Sequence, residues 1–138
     1  MRKEIIINNQ VGELKHVERF IDEIGIELGL SMEMRMDLNL VLEEMVSNII
    51  YYAYPEGTDA RIELSAESDG GELTLRLTDQ GKEFDPTSKE GVDVETNPAE
   101  RELGGMGIFI TKHIMDRVTY QRIEGKNLLT MKKKLNDK

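Results

Sequence analysis

The sequence predicts an α/β two-layer sandwich, with a mixed, mostly antiparallel sheet covered on one face by helices. Three observations carry that prediction. Two stretches have apolar residues at helical spacing, and one of them is unusually long. Several short runs alternate apolar and polar residues as half-buried strands do, and a hairpin signal joins two of them. The elements do not follow the strict strand–helix–strand rhythm of an all-parallel sheet.

Lys3 to Asn8 (KEIIIN) is β-branched, stands first and is flanked by charge, so it reads as an edge strand. Glu13 to Leu28 places Leu14, Val17, Phe20, Ile21, Ile24 and Leu28 on one helical face and ends near Gly29. His16 on this helix has no polar residue of catalytic type placed to meet it and reads as a surface histidine.

Ser31 to Tyr54 (SMEMRMDLNLVLEEMVSNIIYYAY) reads as one long helix. Ser31 is its expected N-cap, and Pro55 with Gly57 closes it. Met34, Leu38, Val41, Leu42, Met45, Ile49 and Tyr52 form the apolar stripe. At about 100° per residue, Glu44 lies about 100° and Asn48 about 60° from Met45 on the same side, whereas Glu43 points about 160° away. Glu44 and Asn48 can therefore address one object together. On this helix alone they serve equally as general base and metal ligand or as a surface pair.

Arg61 to Glu67 and Glu72 to Asp79 alternate around Asp69-Gly70-Gly71, a hairpin signal. Leu73, Leu75 and Leu77 point inward, and Asp79 falls on the same parity, where a carboxylate is costly unless something pairs with it. From Gln80 to Gly104 no periodicity survives, the mark of a functional loop. Leu103-Gly104-Gly105-Met106-Gly107 then opens a short helix with Ile110, Ile114 and Met115 available for burial. Glycines before a helix let backbone N–H groups approach an anion. Val118 to Ile123, a turn over Glu124-Gly125-Lys126-Asn127, and Leu128 to Leu135 finish the sheet.

The 138 residues suffice for one domain, taken as residues 1–138. Asp+Glu 27 against Lys+Arg 18 gives a formal charge of −9, which argues against a nucleic-acid partner held through phosphates. With no cysteine there is no disulfide and no thiolate metal site. No apolar run approaches the roughly 20 residues that span a bilayer, and the N-terminus is not signal-like, so the expectation is a cytoplasmic protein without a membrane partner.

Singly these motifs are weak; their order is specific. Glu44-x-x-x-Asn48, then Asp79-Gln80-Gly81 at the inward end of a strand, then a long loop and Gly104-Gly105-Met106-Gly107 opening a helix resemble the GHKL (Bergerat-fold) ATPase superfamily. Within it the chain is most similar to the bacterial anti-sigma-factor serine/threonine kinases, and the resemblance runs essentially from first strand to last. LEEMVSNIIYYAYP, LTDQGKEFDP and ELGGMGIFITKHIMDRV stand where that family keeps its nucleotide boxes.

The resemblance implies ATP and Mg²⁺ as cofactors. It makes Asn48 the Mg²⁺ ligand, Glu44 the general base toward a partner's hydroxyl, and Asp79 the acceptor for the adenine amino group. Gly81 would leave room for the base; Gly104, Gly105, Met106 and Gly107 would supply backbone to the phosphates, under a lid from Thr87 to Leu103. The implied partners are an anti-anti-sigma-type antagonist, which is phosphorylated, and a sigma factor or equivalent, which is sequestered; a homodimer is also implied.

The chain departs from the family pattern in three places. Leu103 stands where several relatives have an arginine, with Arg101 the nearest candidate. Asn127-Leu128 replaces a threonine pair, and the lid is acidic through Glu90, Asp93, Glu95, Glu100 and Glu102. Alternative functions are a nucleotide-responsive switch that binds a partner without kinase activity, a detached catalytic domain of the histidine-kinase type, and a fold member that no longer binds nucleotide.

Overall fold

The computed structural model describes residues 1–88 and 106–135. Most of the expected lid, with Arg101, Leu103, Gly104 and Gly105, lies outside the described residues.

Strand β1 (Arg2–Asn8) leads through a 3₁₀ turn into helix α1 (Leu14–Leu28), and helix α2 (Met32–Asn48) follows. Strands β2 (Arg61–Asp69) and β3 (Glu72–Asp79) form a hairpin. Helix α3 (Met106–Ile114) precedes a second hairpin, β4 (Arg117–Ile123) and β5 (Lys126–Lys134). The strand order is β1-β2-β3-β5-β4, with β1 at one edge as expected.

Every pairing among the described strands is antiparallel, where a mixed, mostly antiparallel sheet is expected. The crossover from β3 through α3 to β4 skips one place, and β5 folds back into the gap, antiparallel to both neighbours. The connection that would give a parallel pair thus gives none.

The helices among the described residues cover one face. α1 contributes Val17, Phe20, Ile21 and Ile24, and α2 contributes Leu38, Val41, Leu42 and Met45, to a core closed by Ile62, Leu64, Leu75, Leu77 and Met131. Each fully buried aliphatic side chain of this kind stabilises the fold by about 1.5–3 kcal/mol. The other face carries ion pairs such as Arg76–Glu67 at 3.4 Å and Lys132–Glu72 at 3.8 Å, as a solvated face should. His16 is half-buried near Glu13, 3.4 Å away, with its side chain still reaching solvent as a surface histidine does.

Ser31 caps α2 as its residue type predicts, its hydroxyl accepting from the Met34 N–H at 3.1 Å. The helix does not run unbroken to Tyr54. Regular α-helix stops at Asn48 and residues Ile49–Ala53 form a single π turn. The wider turn delivers the Ala53 carbonyl outward, where it accepts from the Lys82 N–H at 2.9 Å. Such turns cluster at functional sites because they break the helical ladder locally.

Two further expectations shift. The buried face of α3 consists of Gly107, Ile108 and Thr111, with Met115 just beyond it; Ile110 and Ile114 are only partly covered. The last hairpin turns on two residues, not four. Glu124 and Gly125 both take positive φ, 51° and 79°, the backbone a tight hairpin turn demands. Lys126 and Asn127 therefore belong to β5, and Asn127 joins the inward parity of Leu129 and Met131. No helix among the described residues is long and apolar enough to cross a membrane.

Candidate functional site

At one end of the sheet the helix-facing side changes from apolar to polar within a single cross-strand rank. Ile7 pairs with Ile62, Ile62 with Asp79, Asp79 with Asn127, and Asn127 with Arg122. Asp79 is only 4% exposed, so the carboxylate that parity placed inward is buried. Its Oδ1 accepts from the Gly81 N–H at 2.8 Å and from Asn127 Nδ2 at 2.9 Å. Burial pushes the Asp79 carboxyl above its ordinary value, and the bonds from Asn127 and Gly81, with the charge of Arg122, oppose that shift only in part.

Helix α2 forms the opposite wall. A narrow cavity lies between Met45, Asn48 and Ile49 on the helix and Leu77, Asp79 and Asn127 on the sheet. Asn48 is buried, and its Nδ2 finds no hydrogen-bond partner among the described residues. Buried amides are ordinarily satisfied, so an unpaired one facing a cavity is unusual. Glu44, one turn earlier, is half-buried while Glu43 is exposed, as the angular argument requires. Burial first, then repulsion from Glu43, raises the Glu44 carboxyl above its ordinary value.

The glycines of the site are there for closeness. A Cβ on Gly107 would come within 2.9 Å of Glu44 Oε1, so the first turn of α3 lies directly against that carboxylate. A Cβ on Gly81 would fall 2.4 Å from the Ala53 carbonyl oxygen. The backbone of α2's π turn is thus the first thing that forbids a side chain at Gly81. Around it the loop is tied down. The Gln80 N–H donates to the Tyr54 hydroxyl at 2.8 Å, and Phe84 stacks on Tyr52 with ring centroids 5.7 Å apart. Asp85 Oδ1 accepts from the Thr87 N–H at 2.8 Å, starting the turn Pro86–Ser88, whose Pro86 is buried against the cavity.

The structure therefore brings Glu44, Asn48, Asp79, Gly81 and Gly107 to one end of the molecule. Met106 opens α3 beside them and is exposed; Gly104 and Gly105 are outside the described residues. Asn127 reads in the sequence as part of the turn, although it stands where the resembled family keeps a threonine pair near the adenine; the structure makes it a strand residue bonded to Asp79. Its signal was available: read with a two-residue turn, Asn127 shares parity with Leu129 and Met131. A wider groove between Gly29–Ser31 and the Gly70–Gly71 turn lies at the other end of β3, and among the described residues none of the buried unpaired polar atoms lines it.

The donor set suits a nucleotide better than a free-standing metal. No cluster of three or more acidic or histidine side chains that could hold a cation occurs among the described residues. The Asn48 amide, whose Nδ2 has no hydrogen-bond partner among the described residues, fits an ion that keeps few protein ligands and takes the rest from phosphate and water.

The sequence matches the histidine kinase-like ATPase domain over residues 7–133, and the chain belongs to that family. Its similar relatives sort it further. The serine/threonine-protein kinase BtrW of Bordetella bronchiseptica is 29% identical over 112 residues, covering 81% of this chain and 79% of that protein. An anti-sigma F factor of Clostridium botulinum is 30% identical over 101 residues, 72% of this chain and 71% of that one. The serine-protein kinase RsbW of Listeria monocytogenes is 29% identical over 119 residues, with 83% and 75% covered. Within the family, the chain falls in the branch of anti-sigma-factor serine/threonine kinases. Among solved structures, the RsbU and RsbW domains of Rv1364c from Mycobacterium tuberculosis share the fold, with a TM-score of 0.71 at 14% identity; the match covers 100% of this chain and 33% of that one.

Proposed function

We propose that the protein is an ATP-dependent serine/threonine kinase that phosphorylates an anti-anti-sigma-type antagonist protein and sequesters a sigma factor or an equivalent partner. The observation that carries this reading is the position of Glu44. A carboxylate with raised proton affinity stands against the first turn of α3, one helical turn before Asn48, whose buried Nδ2 has no hydrogen-bond partner among the described residues. A pure binding module has no use for a base there.

In this reading residues 1–138 form one ATP-binding domain. Asp79 accepts from the adenine amino group, and Met45, Ile49 and Leu77 pack on the ring. Asn48 would hold Mg²⁺ through its amide oxygen, and the ion would supply charge neutralisation to the phosphates. Gly104, Gly105, Met106 and Gly107 give the phosphates backbone N–H groups and the positive end of α3. The partner's hydroxyl oxygen attacks the γ-phosphorus, the bond from that phosphorus to the bridging oxygen breaks, and ADP leaves. Glu44 takes the hydroxyl proton, a role its raised proton affinity suits. A homodimer and a cytoplasmic location complete the proposal.

The test is incubation with Mg·ATP and a candidate antagonist, followed by mass spectrometry of the antagonist. One added phosphate on serine or threonine, absent with Glu44→Gln, is expected. An antagonist that is bound but gains no mass over many hours would refute the kinase and leave a binding switch.

A further inference from the structure

Asn127 sits in the most heavily bonded position of the site. Its Nδ2 donates to Asp79 Oδ1 at 2.9 Å and to the Lys82 carbonyl at 2.8 Å. Its Oδ1 accepts from the Tyr120 hydroxyl in a short bond, from Arg122 Nη1 at 3.0 Å and from the Phe84 N–H at 3.4 Å. Turning the amide over would set its NH₂ against the N–H groups of Arg122 and Phe84 and its oxygen against the Asp79 carboxylate and the Lys82 carbonyl, so the network admits one orientation. Arg122 Nη1 also donates to the Gly81 carbonyl at 2.8 Å, fastening the same loop.

The consequence falls on Asp79. Oδ1 is occupied by two donors, Gly81 N–H and Asn127 Nδ2, whereas Oδ2 has no hydrogen bond among the described residues, and Asp79 lines the cavity. Donors on one oxygen favour the ionised carboxylate, and an ionised carboxylate only accepts. A ring that presents an amino group meets Oδ2 as a donor. A ring that presents a carbonyl at that point sets acceptor against acceptor.

We propose that Asn127, held in register by Arg122, is a positioning residue that makes the pocket select a 6-amino purine nucleotide over a 6-oxo purine nucleotide. This rests on the nucleotide reading above and adds to it the residues that set base preference. Asn127→Asp keeps the size of the side chain and replaces its donor by a second carboxyl facing Asp79. Two carboxyls at hydrogen-bond distance share a proton, so Asp79 no longer offers a pure acceptor.

The experiment is calorimetric titration of the wild type, Asn127→Asp and Arg122→Gln with Mg·ATP and Mg·ITP, with a thermal melt of each protein. The wild type should favour ATP. In Asn127→Asp the ATP-to-ITP affinity ratio should fall at least about tenfold, the worth of roughly one neutral hydrogen bond. Arg122→Gln, at an exposed residue, should move the ratio the same way by less, and it carries the test if Asn127→Asp does not melt cooperatively. Equal losses for both nucleotides, with the ratio unchanged in the folded variants, would make Asn127 merely structural and overturn the inference while nucleotide binding stands. A wild type that binds neither nucleotide would overturn both.

Discussion

Replacing Asp79 by Asn separates contact with nucleotide from support of the fold. The amide oxygen of Asn can still accept from the Gly81 N–H and from Asn127, which lie 2.8 and 2.9 Å from Asp79 Oδ1. The other oxygen becomes an NH₂ donor, aimed where the adenine amino group also donates. Binding then loses a hydrogen bond to a charged group, about 1.5–3 kcal/mol, and leaves a buried donor unsatisfied for about 1–3 kcal/mol more. Affinity for Mg·ATP should fall at least about 100-fold. Stability should move the other way. Burial raises the Asp79 carboxyl above its ordinary 3.8, so its stabilising contribution is complete below that pH and is lost as pH rises through the higher folded value. Asn never ionises, so near neutral pH the variant should be no less stable than the wild type. Its relative stability should improve from about pH 3.8 upward. Calorimetry with Mg·ATP and urea unfolding across pH read both effects. Wild-type affinity in Asp79→Asn would refute the adenine contact; lost affinity with matching loss of stability would show the carboxylate to be structural.

Four other perturbations bear on the remaining residues. Glu44→Gln should keep nucleotide affinity and slow phosphoryl transfer by about 10²–10⁴-fold in single-turnover assays. The wild-type rate should rise with pH through a value above the ordinary 4.5 of a glutamate, and Glu43→Gln should move that limb toward acid by removing a neighbouring charge. Gly107→Ala should melt near the wild type yet transfer phosphate more slowly, because its methyl would displace the flexible end of Glu44, 2.9 Å away. Gly81→Ala meets backbone 2.4 Å away instead and should cost about 1–3 kcal/mol in urea unfolding.

Much of this site was legible because its polar residues break strong local patterns. Asp79 interrupts a run of alternating leucines on the buried face, and the structure buries it there. Glu44 and Asn48 flank an apolar stripe whose phase separates them from Glu43, and their exposures follow that phase. The π turn after Asn48 was not legible: the apolar spacing of Ile49 and Tyr52 continues the helical stripe, and the Ala53 carbonyl meets the Lys82 N–H only in the folded chain. The same contact assigns Gly81 a packing role that no local pattern could reveal.

The length of one turn settles more of the chemistry than any motif does. With four residues between β4 and β5, Asn127 would be loop and the Asp79 carboxylate would face the cavity without an anchor. A two-residue turn through Glu124 and Gly125 advances β5 by two positions, setting Asn127 opposite Asp79 on one side and Arg122 on the other. Strand pairing then does what a binding loop does elsewhere: it holds a donor at fixed distance from a buried acid and a cation behind the donor. Because the register is held by the rows of Leu77–Leu129 and Leu75–Met131 beneath it, the site inherits the rigidity of the core. Lengthening that turn should therefore disturb nucleotide preference before it disturbs the fold.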